Sequence, residues 1–240
     1  MRSIFVGIEY AGKSTLIELL DRYYRHRSIR THGDDHFTIP DATLSPASRK
    51  TMVGLPDDMK ERMQRMQIHY HIDIIKKYAC PLIAGWHIEE AVYSDMYGDD
   101  PSSPYYKRYV YNFQRLYETQ VLEGNIPDLV MFHVTASDEV IARRMSESPH
   151  EYPIVRQQDI PEVKRRFDEE VSKSLFTHGG RTVVIDTTEK TPEESFDEIL
   201  LKSDPLVTFG EIAVRAMEVP DQDYEVRYEN GIRRMEPSIK

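Results

Sequence analysis

The segment from Gly7 to Ser14, GIEYAGKS, has the residue types and spacing of a loop that binds phosphate groups. It matches the pattern G-x-x-x-x-G-K-[ST], in which the glycines let backbone amides approach phosphate oxygens closely. Lys13 is expected to place its charge near the β- and γ-phosphates, and Ser14 to offer its hydroxyl to Mg²⁺. The pattern therefore predicts ATP and Mg²⁺ as cofactors. The loop residues that we expect at the nucleotide are Gly7, Glu9, Tyr10, Ala11, Gly12, Lys13, Ser14 and Thr15.

The segments on either side of this loop are those that a phosphate loop requires. An apolar run, residues 3–6, reads as a buried strand directly before it. A helix is predicted from Lys13 to about Arg25, because Leu16, Leu20 and Tyr23 recur at helical spacing. The unpaired N–H groups at the start of this helix would face the bound anion.

Beyond the loop, apolar runs alternate with helical patterns, which indicates an α/β fold with a mainly parallel sheet. Further strands are predicted near residues 28–31, 81–85, 129–134 and 182–185, and helices near residues 57–78, 105–122, 137–147, 161–175 and 192–202. Residues 33–56 read as a loop with little regular structure. The methionines at positions 59, 63 and 66 are expected to pack in the core.

The sequence after residue 202 differs from the part before it. Residues 203–240 are mixed in charge and only weakly periodic. We predict a main domain of residues 1–202 and a short C-terminal extension of residues 203–240. The extension could be a small added unit, an edge strand or a partly disordered arm.

The composition limits the classes of partner. The chain has 31 basic and 41 acidic residues and a formal net charge of −10. Such a charge repels polyanions, which argues against a general role on nucleic acid or anionic membranes. No apolar run approaches the roughly 20 residues of a membrane span, and the N-terminus does not resemble a signal peptide. We therefore expect a cytoplasmic protein that acts on a small-molecule acceptor.

The run from Gly7 to Leu16, GIEYAGKSTL, resembles the phosphate loop of thymidylate kinases, which carry an acidic residue where this chain has Glu9. Two further stretches, residues 127–144 and residues 183–194, are similar to the fourth strand with its helix and to the last strand with its adenine-side loop. The resemblance covers roughly residues 1–202. It implies a P-loop kinase-type three-layer sandwich with a five-stranded sheet, phosphoryl transfer from ATP, and a homodimer.

The same resemblance implies roles for residues outside the loop. Arg144 would stack on the adenine ring, and Thr187 would lie in the loop on the adenine side. Residues 148–160 would form a lid, with Arg156 contacting phosphates as a catalytic cation beside Lys13.

Two departures from the family leave the acceptor open. Thymidylate kinases have an Asp-Arg pair at the end of the third strand, where this chain has Trp86 and, shortly after, Glu89. Glu89 or Glu90 could replace the missing metal-side carboxylate, and Glu89 is our candidate partner of Ser14 at Mg²⁺. After the second strand, Asp34 and Asp35 resemble the strand-end carboxylate of kinases that act on small alcohols, where it accepts the hydroxyl proton. The alternative for the two aspartates is an Asp-rich turn.

Three hypotheses follow. The first is a kinase of the thymidylate kinase type whose acceptor is a nucleotide, a nucleoside or a similar small molecule. The second is a kinase of a non-nucleotide alcohol with Asp34 or Asp35 as base. The third is a nucleotide-binding switch, or a pseudo-kinase, that transfers nothing.

Overall fold

The computed structural model describes residues 1–35, 40, 44–101, 103–106, 114–124, 128–206, 224–229 and 232–237. Five strands form one sheet in the order β2-β3-β1-β4-β5, and every neighbouring pair is parallel. The strands are β1 (Arg2–Val6), β2 (His32–Asp35), β3 (Pro81–Ala84), β4 (Leu129–Thr135) and β5 (Thr182–Asp186). The predicted five-stranded α/β fold is confirmed, with a sheet that is parallel throughout.

Helices connect and follow the strands. They are α1 (Lys13–His26), α2 (Pro46–Val53), α3 (Asp57–Lys77), α4 (His87–Tyr97), α5 (Gln114–Leu122), α6 (Asp138–Glu147), α7 (Ile160–Lys173), α8 (Leu175–His178) and α9 (Pro192–Ser203). Short 3₁₀ turns lie at Gln157–Asp159 and Asp204–Leu206. Within the described ranges, no helix combines the length and the apolar character that a bilayer crossing needs.

The helices form two groups on the two faces of the sheet. α1 packs against α9, whereas α4 packs against α5 and α7, and α3 packs against α5. The connection from β1 to β2 runs toward one edge of the sheet, and the later connections run toward the other. Because such crossovers are right-handed, α1 lies on the opposite face from the helices of the later connections. The arrangement is the predicted three-layer sandwich.

The central strands β1 and β4 form the middle of the core. All of β1 after its first residue is buried, and the rings of Phe5 and Phe132 stack at 4.8 Å across the two strands. Trp86, at the end of β3, is also fully buried, and its Nε1–H donates to the carbonyl of Ile68 at 3.2 Å. A continuous apolar run buried on both faces is typical of a parallel sheet covered by helices.

Two elements lie elsewhere than the sequence pattern predicts. The second strand is residues 32–35 rather than 28–31, because Ser28 and Ile29 donate backbone hydrogen bonds to the last turn of α1. Asp34 and Asp35 therefore lie within the strand. The segment predicted to be irregular contains α2, whose first residue, Pro46, follows the N-cap Ser45.

The predicted packing of the α3 methionines is wrong for two of the three. Met59 and Met66 are 49% and 65% exposed, and Met63 is partly buried. The buried side of α3 is formed by other residues, among them Ile68, Ile72 and Ile75. Helical spacing alone does not tell which of two apolar stripes on one helix faces the core.

A buried carboxylate links three helices away from the phosphate loop. Glu118 in α5 lies 2.8 Å from Nε2 of His87 and accepts hydrogen bonds from the Ser174 hydroxyl at 2.8 Å and the Leu175 N–H at 2.7 Å. Burial raises the pKa of Glu118, but the hydrogen bonds from these partners outweigh burial and leave the pKa below its ordinary value. The ionised carboxylate therefore stabilises the fold.

We expect Glu118→Gln to reduce the free energy of unfolding at pH 7 by about 3 kcal/mol, because buried donors lose a charged acceptor. A lowered pKa contributes stability above the unfolded value, and that contribution is lost as pH falls through the folded value. The difference between wild type and variant should thus shrink between pH 5 and pH 3 (roughly the range of the carboxyl titration). Urea unfolding at pH 7 and at lower pH measures the loss of stability and its pH dependence. Glu123→Gln, at an exposed position of the same segment, is the control. Equal stability of wild type and both variants at pH 7 would contradict a stabilising role of the Glu118 carboxylate.

The described part of the C-terminal segment is a hairpin. β6 (Tyr224–Glu229) pairs with β7 (Ile232–Pro237) in an antiparallel two-stranded sheet. The predicted boundary at residue 202 falls at the end of α9. The division into two domains stays a prediction.

Candidate active site

The loop after β1 has the backbone conformation that its two glycines allow. Gly7 has φ +144°, and a Cβ there would lie 2.1 Å from the carbonyl oxygen of Val134 in β4. Gly12 has φ +102° and directly precedes α1. Because the first-turn N–H groups of a helix have no intrahelical partner, they provide an anion site at the end of this loop.

A cavity of about 710 Å³ opens along the phosphate loop. Its walls come from the loop, α2, α4, the lid and the connection from β5 into α9. A volume of this size is usual for sites that bind a cofactor or a small substrate. The predicted residues that line it are Glu9, Tyr10, Gly12, Lys13, Ser14, Thr15, Glu89, Arg144 and Thr187.

Lys13 and Glu89 form a largely buried ion pair on the cavity wall. The Lys13 Nζ lies 3.1 Å from Oε1 of Glu89 and donates to the carbonyl oxygens of Gly7 at 2.5 Å and Ile8 at 3.1 Å. Burial raises the pKa of Glu89, and the nearby ammonium of Lys13 opposes that shift. A cation and a carboxylate therefore stand together where the sequence predicted the phosphate and metal contacts.

The cavity wall offers oxygen atoms, which are the ligands that Mg²⁺ prefers. Ser14 and Glu89 both line the cavity and offer oxygen atoms. No group of three or more His, Cys, Asp or Glu side chains that could hold a metal exists in the part of the chain that the structure describes. Mg²⁺ commonly uses one or two protein carboxylates and takes its other oxygens from phosphates and water. A magnesium ion here would therefore depend on a bound nucleotide.

Arg144 and Thr187 both contact the phosphate loop, and their predicted positions at the adenine ring stay predictions. The Arg144 guanidinium donates to the carbonyl oxygen of Tyr10 at 3.0 Å and to the Thr187 hydroxyl at 3.0 Å. The Thr187 hydroxyl donates in turn to the carbonyl oxygen of Ala11 at 2.8 Å. Burial lowers the pKa of Arg144. The two residues fix the loop to α6 and β5, and both line the cavity.

The lid is docked onto the phosphate loop through Glu9 and Tyr10. One oxygen of the Glu9 carboxylate accepts hydrogen bonds from the N–H groups of Ile154 at 3.0 Å and Val155 at 2.9 Å. The other lies 3.1 Å from Nδ1 of His150. The His150 ring stacks on Tyr10 at 4.1 Å, and the backbone N–H of His150 donates to the Tyr10 hydroxyl at 2.9 Å. The sequence contains no signal for these contacts, because they join residues about 140 positions apart.

Arg156 does not line the cavity. Its guanidinium pairs with Asp100 and lies 5.6 Å from the centre of the Tyr97 ring. The predicted contact of Arg156 with phosphates stays a prediction and requires this side chain to leave Asp100.

The structure describes the side chain of Asp34 but only the backbone of Asp35. Oδ2 of Asp34 lies 3.7 Å from Nε2 of the buried His71, and Asp34 is absent from the cavity wall. Asp35 is the last residue of β2, and its backbone pairs in register with Ala84, which lines the cavity. The side chain of Asp35 lies outside what the structure describes. A role as base stays a prediction for both.

A cation that the sequence analysis missed lies on the same wall. Arg49 in α2 lines the cavity, and its Nη2 lies 3.0 Å from Oε2 of Glu151 in the lid. It was missed because residues 33–56 were expected to lack regular structure. The pair Ser45-Pro46, a cap followed by a first-turn proline, is the signal that could have revealed the helix.

Comparison with known proteins identifies the fold. No family model matches the sequence, and a search of curated proteins finds no significant match. Among the solved structures that match over most of the chain are three at 14% identity. A deoxyadenosine kinase from M. mycoides with bound dATP has a TM-score of 0.55 and covers 84% of this chain and 98% of its own. The Candida albicans thymidylate kinase has a TM-score of 0.54, with 83% and 89% covered. The YorR protein of Bacillus subtilis, in complex with phosphorylated GDP, has a TM-score of 0.54, with 84% and 94% covered.

These matches agree with the α/β fold and its five-stranded parallel sheet. The predicted homodimer and cytoplasmic location stay predictions. The chain has the fold of the P-loop nucleoside and nucleotide kinases.

Proposed function

We propose that the protein is an ATP-dependent phosphotransferase that moves the γ-phosphoryl group to a nucleotide, a nucleoside or a similar small acceptor. The observation that carries the proposal is the cavity of about 710 Å³, which opens on Lys13 and continues to a second cation, Arg49. A site with both a donor side and an acceptor side is what transfer between two bound molecules requires.

The order of the strands supports an assignment of the donor side and the acceptor side. The phosphate loop follows the central strand β1, while Thr187 follows the edge strand β5 and Ala84 ends β3 on the other side. Ligands of open α/β sheets bind beyond the carboxyl ends of the strands. We therefore assign the donor base to the part near Thr187 and Arg144, and the acceptor to the part near Ala84 and Arg49.

Lys13 and a bound Mg²⁺ have defined tasks in this assignment. Lys13 would hold oxygens of the β- and γ-phosphates, which requires its ammonium to exchange the carbonyls of Gly7 and Ile8 for phosphate. Mg²⁺ would neutralise charge on the same phosphates, with Ser14 as a protein ligand and Glu89 beside it. The docked lid would keep water away from the transferred group.

The acceptor side has aromatic walls as well as a cation. Tyr93 and Tyr105 both line the cavity, and their rings meet edge to face at 5.7 Å. The Tyr93 hydroxyl accepts a hydrogen bond from the Glu9 N–H at 3.0 Å, which holds this wall against the phosphate loop. Aromatic surfaces suit a flat ring of the acceptor. The kinases of similar structure, a deoxyadenosine kinase and a thymidylate kinase, support the same acceptor class.

A second candidate is a kinase of a non-nucleotide alcohol, with Asp35 as the base. It is favoured by the register of Asp35 with Ala84 at the cavity wall. In that case Asp35→Asn should remove turnover while ATP affinity barely changes.

A panel assay tests the proposal. The enzyme is incubated with ATP, Mg²⁺ and a series of nucleosides, nucleoside monophosphates, sugars and sugar acids, and ADP release is followed. We expect acceptor-stimulated ADP release with at least one nucleoside or nucleotide. Stimulation by sugars alone would favour the second candidate, and tight ATP binding without stimulation by any compound would favour a nucleotide-binding switch.

A further inference from the structure

The contact between Arg49 and Glu151 joins the acceptor side of the cavity to the lid. Both residues line the cavity, and the side chains are 22% and 55% exposed. Nη2 of Arg49 lies 3.0 Å from Oε2 of Glu151. The cation of the acceptor side is thus held by a carboxylate of the protein itself.

This contact leaves part of the guanidinium unused. The Nε of Arg49 is buried and donates no hydrogen bond within the described part of the chain. Nε and Nη2 form one edge of the planar group and can bind two oxygens of a phosphate in parallel. An anion with several oxygens could therefore satisfy the edge better than Glu151 does.

The lid has a second attachment that does not depend on Arg49. His150, the neighbour of Glu151, stacks on Tyr10 and donates its N–H to the Tyr10 hydroxyl, and Glu9 binds residues 154 and 155. Loss of the Arg49 contact would therefore free Glu151 while the lid stays on the phosphate loop.

We infer that Glu151 occupies the place of an anionic group of the acceptor, so that this group and the lid carboxylate compete for Arg49. The inference rests on the proposed function and narrows its acceptor to molecules that carry a phosphate or a similarly charged group. A phosphomonoester at neutral pH carries a charge of about −2 and displaces a carboxylate more readily than a singly charged group does. Glu151 thereby selects acceptors by charge.

Binding of inorganic phosphate tests this competition apart from catalysis. The enzyme is first saturated with Mg²⁺ and a non-hydrolysable ATP analogue to fill the phosphate loop, and phosphate is then titrated by calorimetry. We expect Glu151→Gln to bind phosphate about twofold to fivefold more tightly than wild type, the range expected when a partly exposed ion-pair competitor is removed. Glu169→Gln is the matched control, because Glu169 also pairs with an arginine and is 51% exposed.

A double-mutant cycle tests whether the gain in phosphate affinity depends on Arg49. In an Arg49→Gln background, Glu151→Gln should give no gain in phosphate affinity. An equal gain in that background, or no gain in the wild-type background, would overturn the inference. Failure of the analogue to bind at all would instead contradict the proposed function. Thermal melting of each variant confirms that the fold is retained.

Discussion

Lys13→Met should reduce the rate of phosphoryl transfer by about 100- to 1,000-fold, because one fixed positive charge at the transferred group is lost. Lys13 is the only residue with a positively charged side chain in the phosphate-loop pattern. The rate loss should be seen in kcat, since the charge matters most where negative charge develops. Steady-state assays with the acceptor found in the panel measure it.

The same substitution also removes the partner of a buried carboxylate. Glu89 lies 3.1 Å from Lys13 and has a raised pKa because of burial, so Lys13→Met alone should lower stability. The double variant Lys13→Met with Glu89→Gln removes both charges. It should recover stability in thermal melts without recovering activity. Lys164→Met is the control, because it removes a lysine that pairs with Asp138 and does not line the cavity. This variant should keep both its stability and its activity. Full activity in Lys13→Met would place the phosphate site elsewhere.

Arg49→Gln should have the second large effect on activity. We expect kcat/KM for an anionic acceptor to fall about 100-fold, which corresponds to roughly 3 kcal/mol for the loss of a partly buried cation facing an anion. KM for ATP should change little, because we assign Arg49 to the acceptor side. Arg49→Lys keeps the charge but not the planar edge, so it should recover only part of the loss.

A comparison between acceptors with and without a phosphate tests whether Arg49 acts on the phosphate of the acceptor. For a nucleoside and its monophosphate as alternative acceptors, Arg49→Gln should affect the monophosphate far more than the nucleoside. An equal loss with both would mean that Arg49 acts through packing of α2 or through the lid contact with Glu151. No loss with either would remove Arg49 from the acceptor site.

The donor half of the candidate site could be proposed from the sequence because its residues are local, and their roles stay predictions. The glycines, Lys13 and Ser14 lie within one strand-loop-helix unit whose pattern can be read without the rest of the chain. Arg144 and Thr187 were assigned to the nucleotide through a family resemblance; both contact the backbone of the loop, and their roles at the adenine ring stay predictions.

The acceptor half depends on contacts between distant segments, and there the sequence was less informative. The position of β2 is determined by pairing with β3 and by the end of α1, and not by the local propensity of residues 28–31. Arg49 lies in a helix of eight residues, which is too short to show a clear period. Contacts of Glu9 with residues 150–155 are tertiary, so no window of sequence could reveal them.

The central claim is that the terminal phosphoryl group of ATP passes to a second small molecule bound in the same cavity. Isolation of the product after incubation with ATP labelled in its γ-phosphate tests this most directly. The account predicts label in the phosphorylated acceptor, in equal amount to the ADP formed, and loss of that label in Lys13→Met. Label found only in free phosphate, or ATP bound without any turnover in the presence of every acceptor of the panel, would contradict it.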